Sequence, residues 1–104
     1  MFIYNVTTHV EPAVEQEWLS WMKEEHLPKM TQTGHFLQAK LFKVITDQDH
    51  GGISYATQYH CHSRKEYEDY IALKAKALRQ DAIDRFGNSI LAFRTQLEEI
   101  TTVA

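Results

Sequence analysis

The hydrophobic pattern of this chain switches between two periods, and that switching restricts its fold more than any other feature. Residues Phe2 to Val10 alternate, with Phe2, Tyr4, Val6 and Val10 on one side and Ile3, Asn5, Thr7 and His9 on the other. Alternation of β-branched and aromatic residues predicts a strand. Glu11-Pro12 then reads as a helix entrance, because proline at the first helical position gives up an amide hydrogen that had no partner there. Val14, Trp18, Trp21 and Met22 follow at helical spacing in one apolar stripe, with Glu15, Glu17, Lys23 and Glu24 largely outside it. Pro28 interrupts the pattern, and Gly34 supplies a left-handed residue for a last turn before the chain becomes extended.

His35 to Thr46 reads as a second strand with two apolar faces, Phe36, Phe42 and Val44 on one and Leu37, Leu41 and Ile45 on the other. Asp47 to Gly52 is dense in turn residues and predicts a hairpin into a third strand, Ile53 to His62. Ser63 and Glu66 have the spacing of a capping box, which starts a second helix. Its buried stripe is expected to run Tyr67, Tyr70, Ile71, Ala75, Leu78, Ala82 and Phe86, with Gly87-Asn88 as the stop. Ser89 to Ile100 returns to strand character, with Leu91, Phe93 and Leu97 facing opposite to Ile90, Ala92, Arg94 and Gln96.

The order is therefore β-α-β-β-α-β. Its split form is the ferredoxin-like arrangement, a four-stranded antiparallel sheet with two helices on one face, and 104 residues make it a single α+β domain spanning 1–104. The two apolar faces of the second strand, with Ile3, Ile90 and Ala92, imply that the helix-free face also leaves water. An identical sheet is the simplest cover, so a homodimer through that face is expected, the alternative being a monomer with a half-wet face.

The 14 acidic and 11 basic side chains leave a formal charge of -3 and no positive excess for phosphates, which argues against nucleic-acid binding. The single cysteine, Cys61, closes no bridge within the chain. No apolar run approaches the roughly 18 residues of a membrane span, and Met-Phe-Ile-Tyr-Asn lacks a basic region before an apolar stretch. A cytoplasmic protein with no membrane contact is expected.

Several ordered segments carry a family resemblance: YNVT at Tyr4 to Thr7, WLSWMKEEHLPKM at Trp18 to Met30, the Thr33-Gly34 break, GISYATQY at Gly52 to Tyr59, ALRQ at Ala77 to Gln80 and FGNSILAFRT at Phe86 to Thr95. Together they resemble a small bacterial family known only as a domain of unknown function. That family looks like part of the wider group of dimeric α+β barrels, which includes antibiotic-biosynthesis monooxygenases, stress-responsive barrel proteins, muconolactone isomerases and haem-degrading enzymes. The resemblance implies the barrel dimer and no particular chemistry, since one scaffold hosts unrelated reactions.

Candidate chemistry centres on a few polar residues. Asn5, Thr7 and His9 project from one side of the first strand, with Gln58 and Arg94 as expected neighbours. A guanidinium beside two amides would hold a carboxylate or enolate oxygen, or else these groups satisfy one another in a polar dimer seam. His26, one turn beyond Met22, resembles a His-x-Pro feature of some barrel relatives and suits a general acid or base. A histidine bonded to a terminal helix carbonyl and favoured by the helix dipole is the commoner arrangement at such a place. His60 and His62 share a strand face but have no located third ligand, so no metal is expected. Haem-degrading relatives use a histidine on the second helix, and Arg64 to Phe86 contains none, so no cofactor is expected either. Trp18, Trp21, Tyr55, Tyr59, Tyr67 and Tyr70 are either the core or the lining of a pocket for a flat ligand.

Two functions are consistent with this pattern. One is a small-ligand-binding or accessory homodimer. The other is a cofactor-free isomerase, cyclase or monooxygenase acting on a small aromatic or hydrophobic acid, with His26, Asn5 and Arg94 as catalytic residues and Trp18, Trp21, Tyr55, Tyr59, Tyr67 and Gln58 as ligand contacts.

Overall fold

Strand β1 runs over Phe2–Val10, and on one of its faces Phe2, Tyr4, Thr8 and Val10 are buried and Val6 half-buried, as its alternation requires. A computed structural model describes residues 1–45 and 52–104 of the chain. After a short 3-10 turn at Pro12–Val14, helix α1 (Glu15–Trp21) buries Trp18 and Trp21. A π-helical segment, Met22–His26, leads into α2 (Leu27–Gln32), then β2 (Gln38–Lys43) and β3 (Ile53–Cys61). Helices α3 (Arg64–Leu73) and α4 (Ala75–Phe86) precede β4 (Ile90–Glu98). The strands form one sheet in the order β2-β3-β1-β4, all neighbours antiparallel. This is the ferredoxin-like α+β fold.

Pro28 does not end the first helix. A proline nitrogen donates no hydrogen bond, and its ring crowds the carbonyl four residues back. The chain answers by widening the turn ahead of it, so that the Leu27 N–H reaches the Met22 carbonyl. The second helix instead divides at Lys74, and its N-terminus lacks the expected capping box. Ser63 makes no side-chain cap, and the Glu66 side chain pairs instead with His35, with 3.0 Å between His35 Nδ1 and the Glu66 carboxylate. Ile71 is 37% exposed and so falls outside the buried stripe.

Registry assigns the faces. Tyr4, Val6, Thr8 and Val10 of β1, Tyr55, Thr57 and Tyr59 of β3, and Ile90, Ala92 and Arg94 of β4 share the helix-covered face. Ile3, Asn5, Thr7 and His9 share the open face with Ser54, Ala56, Gln58 and His60 and with Leu91, Phe93, Thr95 and Leu97. Ile90 and Ala92 thus lie under the helices, contrary to expectation, while Leu91 and Phe93 stand on the open face, 58% and 60% exposed. Phe36 and Phe42 also part company. Phe36 precedes the shortened β2 and packs on Tyr59 and Tyr70 in the core, whereas Phe42 remains outside. The reversal expected over Asp47 to Gly52 lies, apart from Gly52, outside the described residues.

The core falls into two groups. One joins Phe2, Tyr4, Met30, Phe36, Tyr59, Cys61, Tyr70 and Ala75, and the other Val10, Trp18, Trp21, Met22, Tyr55 and Phe86.

Candidate functional site

A cavity of about 220 Å³ takes its walls from both core groups, between the helix-covered face of the sheet and the helices above it. Val6, Thr8, Thr57 and Tyr59 make its floor, Trp18, Trp21, Met22, His26 and Met30 its roof, and Arg79 of α4 and Arg94 of β4 also line it. Among the described residues that line it there is no aspartate or glutamate.

Tyr4 occupies the centre of an aromatic cluster, with ring centroids 5.7 Å from Tyr59, 5.1 Å from Tyr67 and 5.8 Å from Tyr70. Its phenol oxygen accepts from Arg79 Nη2 at 3.2 Å and from Arg94 Nε at 3.1 Å. Two lone pairs on that oxygen permit both bonds. Neither guanidinium is in an ion pair among the described residues. Arg79 was not singled out from the sequence, where it is one more charged position in an amphipathic helix. Only its register opposite Tyr4 gives it meaning.

Among the described residues, three buried polar atoms of the cavity lining have no hydrogen-bond partner: Thr57 Oγ1, His26 Nδ1 and Arg79 Nε. Thr57 is only 1% exposed, and its hydroxyl faces the cavity. His26 stacks on Trp21 at 4.6 Å between ring centroids and 21° between planes. Burial lowers its pKa to about 4, Asp81 opposing that shift and Lys29 adding to it, so the ring is neutral at pH 7.

Of the expected site residues, the cavity brings together His26, Arg94, Trp18, Trp21 and Tyr59. Asn5 and Gln58 face the other way. Arg94 lies opposite Val6 in the register and so cannot join Asn5, whose amide donates to Thr7 and Thr95 hydroxyls at 3.3 and 3.2 Å. Tyr55 packs on Trp18 and donates to the Glu15 carboxylate at 2.6 Å; burial, then that hydrogen bond, pushes its pKa up to about 12. Tyr67 packs on Phe2 and Tyr4 rather than lining the cavity. Burial, then Glu66, raises the Cys61 thiol to about 11, which makes it a packing residue. No group of three metal-ligating side chains occurs among the described residues, and none of their helices is long and apolar enough to cross a membrane.

The family model described as Domain of unknown function (DUF4286) matches residues 1–100. The chain belongs to that family. This agrees with the resemblance carried by the motifs. Solved structures similar to this DUF4286 chain share its fold. A protein of the ethyl tert-butyl ether D (EthD) family from Bacillus halodurans C-125 has a TM-score of 0.68 at 15% identity, over 96% of this chain and 100% of that one. A dimeric ferredoxin-like protein from an uncultured marine organism has a TM-score of 0.69 at 12% identity, over 100% and 99%. A second such protein has 0.65 at 16%, over 98% and 97%. No protein of curated function matches the sequence.

Proposed function

We propose that this protein is a cytoplasmic homodimer that holds a small, largely apolar ligand in the cavity between sheet and helices. The observation that carries the reading is the set of polar atoms without a partner among the described residues, Thr57 Oγ1, His26 Nδ1 and Arg79 Nε, lining a cavity whose walls are otherwise mostly aromatic, aliphatic and thioether side chains. Buried donors and acceptors are normally satisfied, and leaving one without a partner costs about 1–3 kcal/mol. A ligand removes that cost. The homodimer is supported by the exposed Leu91, Phe93, Leu97 and Phe42 on the open face and by the dimeric description of two similar structures.

A second reading, a cofactor-free isomerase, cyclase or monooxygenase, is favoured by one feature: His26 and Arg94 line the same cavity, where a base and a charge stabiliser would act on one substrate. A histidine depressed to about 4 is a weak base at neutral pH, which favours binding over proton transfer. Asn5, on the opposite face, has no part in either.

The experiment is a thermal-shift screen of indole, benzoate, phenylacetate, quinones and flavins. The small aromatic compounds are expected to raise Tm by several degrees at millimolar concentration, and His26→Ala to reduce the rise. A flat response across the panel would contradict the ligand reading.

A further inference from the structure

We infer that the ligand is an aromatic monocarboxylate whose acid group is gripped by Arg79 and Arg94 while its ring lies against Trp21, Met22 and Met30. The inference deepens the ligand-binding reading and rests on it.

Two guanidiniums converge on a single acceptor, the Tyr4 phenol, at 3.2 and 3.1 Å, so two positive charges meet with no ion-pair partner for either among the described residues. A structural pair of arginines at this place would be expected to share a carboxylate. Lys29, Lys65 and Arg85 each find one elsewhere in the chain. Arg79 keeps a buried Nε–H without an acceptor among the described residues. A guanidinium presents its donors in a planar fork that matches a carboxylate, and charge-assisted bonds of this kind are roughly twice as strong as neutral ones.

Access and size complete the argument. Arg94 and Ile83 are exposed, whereas Thr57, Trp18 and Met30 are buried, so the cavity runs from a cationic mouth to an apolar interior. An acid would keep its charge at the mouth and bury its ring. Thr57 Oγ1 on the floor remains available for one further polar atom. About 220 Å³ is smaller than the roughly 300–1,000 Å³ of pockets that take drug-sized ligands, which restricts the occupant to about one ring and a short side arm. A bare phosphate would satisfy the arginines and leave the apolar interior empty.

The test is isothermal titration calorimetry of the whole protein with benzoate and phenylacetate, their amides, indole and inorganic phosphate. Each acid is expected to bind at least about ten-fold more tightly than its amide, and more tightly than phosphate. Arg79→Met and Arg94→Met are each expected to bring acid and amide within about three-fold of one another. Arg79→Lys, which keeps the charge and loses the fork, should fall between wild type and Arg79→Met, and serves if Arg79→Met does not fold. Equal binding of acid and amide, a preference for phosphate, or an acid preference that survives both substitutions would overturn the inference and leave the ligand reading standing. Silence from indole, amides and acids alike would remove the ligand reading, and the inference with it.

Discussion

His26 shows how burial and chemistry interact at a single side chain. Its unfolded pKa is 6.5 and its folded value about 4, lowered chiefly by burial and further by Lys29, against the attraction of Asp81. Between those values the unfolded chain binds more protons than the folded one, so stability rises with pH across that window and is lost as pH falls through it. The loss is at most about 3 kcal/mol. Urea unfolding measured from pH 7 to pH 4 is therefore expected to show a steeper decline for wild type than for His26→Gln, and parallel curves would show that the ring is not buried neutral. His26 was legible in the sequence as a histidine at the end of an apolar stripe. Its stacking on Trp21 was not, since residues five apart do not face one another on a regular helix. Arg79 and Thr57 were invisible for a related reason: an arginine and a threonine become a site only when register sets them against the same cavity.

At the scale of elements, the π-helical segment is the feature that creates the His26 site. Widening the turn by one residue aligns positions five apart, and the cause, Pro28, stands two residues beyond His26. Sequence periodicity located both helices and all four strands but treated Pro28 as an interruption, because a helix can absorb a proline only by a change of hydrogen bonding that periodicity does not record. Strand alternation in β4 gives the right pattern, but Ile90 and Ala92 lie on the face opposite to the one expected. That is why Arg94 was expected beside Asn5. Alternation alone gives two sides without saying which one the helices cover. The β1–β3 end supplies its own test. A Cβ on Gly52 would stand 2.7 Å from the Val10 carbonyl oxygen and 2.7 Å from His9 Nε2. The backbone atom cannot move without breaking the ladder, so Gly52→Ala is expected to cost about 1–3 kcal/mol in urea unfolding, and an unchanged midpoint would show that the strand end yields.

Across the whole molecule, the two faces of the sheet are separated by register and carry different surfaces. The helix-covered face holds the cavity, its arginines and its unpartnered polar atoms. The open face presents Leu91, Phe93, Leu97 and Phe42 around the Asn5, Thr7 and Thr95 hydrogen bonds. We read the first as the ligand site and the second as the surface between two copies, so each should be separable from the other by substitution. Light scattering on wild type and Phe93→Asp, with benzoate present and absent, tests that division most directly. A charge at the centre of the open face should reduce the mass from twice 12.2 kDa to 12.2 kDa, while the variant retains a benzoate-dependent rise in Tm. A wild-type protein of 12.2 kDa, or a variant whose mass is unchanged, would contradict the account.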